Sequence, residues 1–157
     1  MTREEKFMNE AIALSEEGMV ANEGGPFGCV VVKNNVIVGR GNNKVMSEND
    51  PTAHAEIVAI RDACKTLGTF QLLDCEIYSS CEPCPMCLGA IYWARPKIIY
   101  FANTREDAAN IGFDDSMIYE EINIEPNERK IPSESLGRED AIKIFEKWAA
   151  KNDKSLY

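Results

Sequence analysis

The stretch from Cys75 to Ala102 constrains the fold of this chain more than any other. Cys75 to Ser80 reads as a strand, Pro83 or Pro85 can open a helix through Leu88 to Ala94, and Lys97 to Ala102 reads as a further strand. Strand, helix and strand in so short a run favour a parallel pair joined by a crossover helix. Upstream, Cys29 to Lys33 reads as a buried strand, Asn34-Asn35 as a tight turn and Val36 to Arg40 as the returning strand of a hairpin. The chain has 157 residues, 45% of them apolar, which suits one domain, residues 1–157, with a single core.

Helices are expected around these strands. Thr2 and Glu5 can form a capping box, followed by an apolar stripe of Phe7, Ala11 and Leu14 with Met8, Ile12 and Met19. Asp50-Pro51 supplies an N-cap and a first-turn proline for a helix to about Leu67, ended by Gly68. Asp140 to Lys151 reads as a last helix with Ile142, Phe145 and Trp148 on one face, whereas residues 103–137 resist assignment. The N-terminal segment is charged and amphipathic, without the apolar run of a signal peptide. No stretch approaches the roughly 18 uninterrupted apolar residues of a membrane span. A cytoplasmic protein is therefore expected, with its six cysteines reduced. With 17 basic and 26 acidic residues the net charge is −9, which repels polyphosphate and points to a small partner rather than nucleic acid.

The chemistry concentrates in two elements. The one histidine, His54, lies in Pro51-Thr52-Ala53-His54-Ala55-Glu56, and Pro83-Cys84-Pro85-Met86-Cys87 follows. Together they match H-x-E…P-C-x-x-C, the pattern of zinc-dependent nucleobase deaminases. Each element sits at an expected helix N-terminus, where free N–H groups and the helix dipole favour thiolates. Cys84 and Cys87 are three apart and share a helix face. His54, Cys84 and Cys87 would hold one Zn2+ and leave the fourth tetrahedral position open for water. Glu56, two residues from His54, can reach over the metal without ligating it and move protons. Cys81 extends the run to C-x-x-C-x-x-C, so a closed structural site with Cys81 as fourth ligand is an alternative; an iron–sulfur pattern lacks its last cysteine. Cys29, Cys64 and Cys75 read as core cysteines.

The chain resembles the cytidine deaminase-like superfamily and, within it, bacterial guanine deaminases. The residues that carry the likeness are Gly-Gly-Pro-Phe-Gly at 24–28, Asn-Asp-Pro-Thr-Ala-His-Ala-Glu at 49–56, the run from Ser80 to Pro96, and Gly-Phe-Asp-Asp at 112–115. Related tRNA adenosine deaminases share the zinc elements but usually carry a smaller residue at the Phe27 position, lack the Gly-Phe-Asp-Asp continuation and tend to be basic. The resemblance implies a three-layer α/β/α sandwich around a mixed sheet, and a homodimer. In that family a C-terminal segment, here about 138–157, covers an active site as a lid or an exchanged element. It places Phe27 and Asn43 at the substrate, Phe27 stacking on the ring and Asn43 bonding a purine edge. Trp93 lines the same pocket or is simply buried. Asp115, or Asp114, accepts hydrogen bonds from the guanine amino group or relays protons, and Tyr157 acts as a lid residue.

The implied reaction is hydrolytic deamination of guanine to xanthine and ammonia, with Glu56 and Asp115 catalytic. The rivals are a deaminase of tRNA adenosine, a nucleoside or an aminotriazine, and a non-enzymatic zinc-stabilised module.

Overall fold

A computed structural model describes residues 1–157. The elements run α1 (Arg3–Val20), β1 (Gly28–Lys33), β2 (Val36–Asn42), α2 (Ala55–Leu67), β3 (Glu76–Cys81), α3 (Pro85–Ala94), β4 (Ile98–Asn103), α4 (Arg105–Asn110), α5 (Ser116–Ile122) and α6 (Arg138–Ala150), with a short 3-10 turn at Pro126–Glu128. They fall into two compact units, Met1–Asp115 and Ser116–Tyr157.

The first unit is built on a sheet of order β2-β1-β3-β4. β1 pairs antiparallel with β2 and β3, whereas β3 and β4 are parallel and joined through α3. The hairpin turns at Asn34 and Asn35, both at positive φ, as a two-residue turn matching the strand twist requires. β1 and β3 are buried along their length and carry the core on both faces. On one face Cys29, Val31 and Ile77 pack with Ala55, Ala59 and Ala63 of α2 and with Ile91 and Ala94 of α3. On the other, Val30, Val32 and Tyr78 pack with Ala11, Phe7, Met8 and Leu14 of α1. Helices on both faces of a mixed sheet make the expected α/β/α sandwich.

Several boundaries differ from expectation. The helix expected from Asp50-Pro51 starts at Ala55, with His54 as its N-cap. Asp50 caps a turn instead, its Oδ1 accepting from the Thr52 N–H at 2.8 Å and hydroxyl at 2.7 Å. Of the proposed α1 stripe, Ile12 and Met19 are exposed, because the core takes only the Phe7, Ala11 and Leu14 side with Met8. The thinly read stretch 103–137 holds α4, α5 and the 3-10 turn, all without buried residues. In the second unit α6 forms close to its expected span, but Phe145 and Trp148 are exposed.

At the end of β3 away from the metal-binding elements, Glu76 is buried among three donors. Arg3 Nη1 lies 2.8 Å away, Lys97 Nζ 3.0 Å and the Tyr78 hydroxyl 2.7 Å. Burial opposes the charge, but the bonds from Arg3, Tyr78 and Lys97 outweigh it and bring the carboxyl down to about 2. A carboxyl depressed in the folded state stabilises above its unfolded value, and that stability is lost as pH falls through the folded value. Glu76→Gln should therefore lose about 2 kcal/mol at pH 7. In thermal melts from pH 7 to 2 the gap to the parent should start to narrow below about pH 4.5 and nearly close near pH 2.

Candidate active site

Two helices that lack ordinary caps define the site. α1 and α4 start with capping boxes, Thr2 with Glu5 and Thr104 with Asp107. At the N-caps of α2 and α3 stand His54 and Cys84, and neither makes a side-chain capping bond. Ser, Thr, Asp or Asn would stabilise these positions by about 1 kcal/mol. The chain forgoes that here and turns both side chains toward one point.

His54 Nδ1 lies 3.6 Å from Cys84 Sγ and 3.5 Å from Cys87 Sγ. Zinc bonds of about 2.3 Å to sulfur and about 2.0 Å to nitrogen, at a tetrahedral angle, place the two ligand atoms about 3.5 Å apart. The three ligand atoms all fall within 4.8 Å of one another, so the donor set fits zinc in type and spacing. The two thiols cannot both ionise unaided. Cys84 falls to about 4 because Cys87 donates to it and His54 lies beside it, while Cys87 is pushed up by Cys84 and by burial. A dication between them would favour both thiolates.

Cys81 does not join them. Its Sγ donates to the Thr104 carbonyl at 3.6 Å, and burial raises the thiol to about 11. The closed four-ligand alternative therefore lacks its fourth ligand.

Glu56, in the first turn of α2, is 6% exposed, and burial raises its carboxyl above the ordinary range. The Ser79 hydroxyl donates to its Oε1 at 3.2 Å. A buried carboxyl beside a metal-binding triad is placed to exchange protons with a group bound there.

The remaining named residues are placed unequally. Asn43 is buried; its N–H donates to the Phe27 carbonyl at 3.0 Å and its Oδ1 accepts from Val45 N–H at 3.1 Å. That bond to Oδ1 fixes the amide and leaves Nδ2 uncommitted within the chain. A Cβ on Gly24 would lie 2.0 Å from Asn43 Oδ1, so only glycine allows this approach. Phe27 meets Phe113 edge-on, with centroids 5.0 Å apart at 87°. Asp114 is exposed, while Asp115 is partly buried. Burial raises the Asp115 carboxyl; the Arg105 guanidinium, 3.9 Å away, lowers it and Cys84 raises it further. The Asp115 carboxyl thus senses the metal-binding Cys84. Trp93 is 62% exposed, which overturns the buried reading. Tyr157, in the second unit, is 67% exposed.

Ser79 and Phe113 were not singled out from the sequence. Ser79 carries only strand periodicity as a signal, and Phe113 could have been found as the aromatic inside the Gly-Phe-Asp-Asp turn.

Residues 1–103 match the family of the cytidine and deoxycytidylate deaminase zinc-binding region, and the chain belongs to that family. It is 52% identical to guanine deaminase of Bacillus subtilis (strain 168) over 98% of both chains. The X-ray structure of guanine deaminase from Bacillus subtilis superposes with a TM-score of 0.94, again over 98% of each chain. The chain is also 42% identical to the tRNA-specific adenosine deaminase of the same organism, over 64% of this chain and 62% of that one. A mutant protein solved in complex with 8-azaguanine is 33% identical, with a TM-score of 0.69, over 73% of this chain and 65% of that one. No helix is long and apolar enough to cross a membrane.

Elemental analysis of purified variants tests the ligand set. Cys84→Ser, Cys87→Ser and His54→Ala should each lose the bound zinc, whereas Cys81→Ser should keep one zinc per chain. Loss of zinc from Cys81→Ser alone would put Cys81 back in the coordination sphere.

Proposed function

We infer that this protein hydrolyses guanine to xanthine and ammonia. The observation that carries the reading is the extent of the likeness. It runs over 98% of the chain with guanine deaminase and over 64% with tRNA-specific adenosine deaminase. The longer match takes in most of the chain after the zinc-binding region, where Phe113, Asp114 and Asp115 lie.

When bound, zinc lowers the pKa of a coordinated water toward about 7. Glu56 takes one proton from the attacking water and delivers it to a ring nitrogen, then takes the second from the added hydroxyl and delivers it to the departing amine. Water oxygen adds to C2, the C2–N bond breaks, and one ammonia leaves for each water consumed. Phe27 stacks on the purine and the free Nδ2 of Asn43 donates to its edge. Asp115, with Asp114 as the exposed alternative, accepts from the amino group or relays protons. Trp93 completes the rim from α3.

The substrate is a free purine base rather than a polymer, in keeping with the net charge of −9. The working form is a cytoplasmic homodimer in which all 157 residues serve one activity. Residues 138–157 act as a lid or exchanged element that brings Tyr157 to a substrate. Support comes from α6 itself, which leaves Ile144, Phe145 and Trp148 exposed in the single chain.

Ammonia release with xanthine detection, run on guanine, tRNA adenosine, cytidine and an aminotriazine, tests the substrate. Guanine should be turned over at least about 100-fold faster than the others; equal or faster release from another substrate would replace this assignment. Glu56→Gln should lose about 100-fold or more in kcat with zinc retained.

A further inference from the structure

The buried floor beneath Glu56 carries a polar group that the reaction above does not use. β3 has two adjacent serines that point to opposite faces of the sheet. Ser80 Oγ accepts from the Gly28 N–H at 2.9 Å and so anchors the start of β1. Ser79 is 2% exposed, and its hydroxyl makes its one side-chain hydrogen bond with Glu56 Oε1, at 3.2 Å. Its strand neighbours are Cys29 and Phe101, and Cys29 belongs to the core face that receives α2.

We propose that Ser79 is a positioning residue for Glu56, whose Oε1 it holds so that the other carboxylate oxygen is presented to the reacting water and purine. The proposal rests on the deaminase reading above. A glutamate has three rotatable side-chain torsions; the Glu56 carboxyl also meets its own backbone N–H and the Cys87 side chain, and Ser79 adds the contact that comes from the sheet. A displacement of about 1 Å at a proton-transferring group can cost about 100-fold in rate. A plain core residue at this position of β3 would fill the space but supply no donor. The hydroxyl is supplied by the strand rather than by a loop, so the reference point for the carboxylate is as rigid as the sheet.

The test compares the zinc-loaded parent with Ser79→Ala and Ser79→Thr. For Ser79→Ala, kcat on guanine should fall about 10- to 100-fold, with KM within about twofold and zinc still one per chain. Ser79→Thr keeps the donor and should recover most of the lost kcat. A crystal structure of Ser79→Ala should show the Glu56 carboxylate displaced or spread over rotamers. An unchanged kcat in Ser79→Ala, or Glu56 in its parental position, would overturn the proposal. So would joint loss of zinc and fold in Ser79→Ala that Ser79→Thr does not reverse, since that describes a packing residue. A parent that does not deaminate guanine would instead refute the substrate reading, and the crystallographic comparison would still decide the role of Ser79.

Discussion

The first turn of α2 rests on β2 with almost nothing between them. A Cβ on Gly41 would lie 2.3 Å from the Ala55 carbonyl, and one on Gly39 2.4 Å from that of Ala59. The helix answers with Ala55, Ala59 and Ala63 on its inner face, all fully buried. Backbone therefore packs on backbone, and the start of the helix is fixed by contacts that no rotamer change can relax. His54 and Glu56 inherit that precision. α3 is set against the same core by Ile91 and Ala94, which brings Cys84 and Cys87 to the histidine.

Electrostatics then makes the site depend on a cation. Two thiols and an imidazole converge with a buried carboxyl beside them, and the thiols push each other's ionisation apart, Cys84 down and Cys87 up. Zinc would offset both thiolate charges and would be held at the starts of α2 and α3, neither of which has a side-chain cap. Local helix stability has been given up at His54 and Cys84 in favour of ligation, whereas Thr2 and Thr104 keep full capping boxes. With Cys81 directed to Thr104, three protein ligands remain, and the fourth position is left to the reaction.

Much of this was legible in the sequence, for identifiable reasons. The hairpin turn, the Thr2 capping box, a proline opening of α3 (read as Pro83 or Pro85, found at Pro85) and the crossover pair follow from local rules that survive packing. The zinc triad was readable because ligand chemistry restricts residue type and spacing at once. The start of α2 was misplaced because Asp50-Pro51 carries a strong capping signal that here serves a turn. Ile12 and Met19 misled because an apolar side chain at helical spacing need not find a core. For Trp93, read as a pocket residue or a buried one, the exposure removes only the buried alternative, since the Cys87, Ile91 and Ala94 side of α3 faces inward. Ser79 was invisible, because its partner lies 23 residues away in sequence and only the assembled sheet brings them together. The second unit was least legible, its α6 having apolar side chains with no core of their own to fill.

X-ray absorption at the zinc edge of the purified protein tests the central claim of an open three-ligand centre most directly. The account predicts two sulfur ligands at about 2.3 Å together with two nitrogen or oxygen ligands at about 2.0 Å, one from His54 and one from water. Three sulfur ligands and no oxygen would describe a closed structural zinc and contradict it.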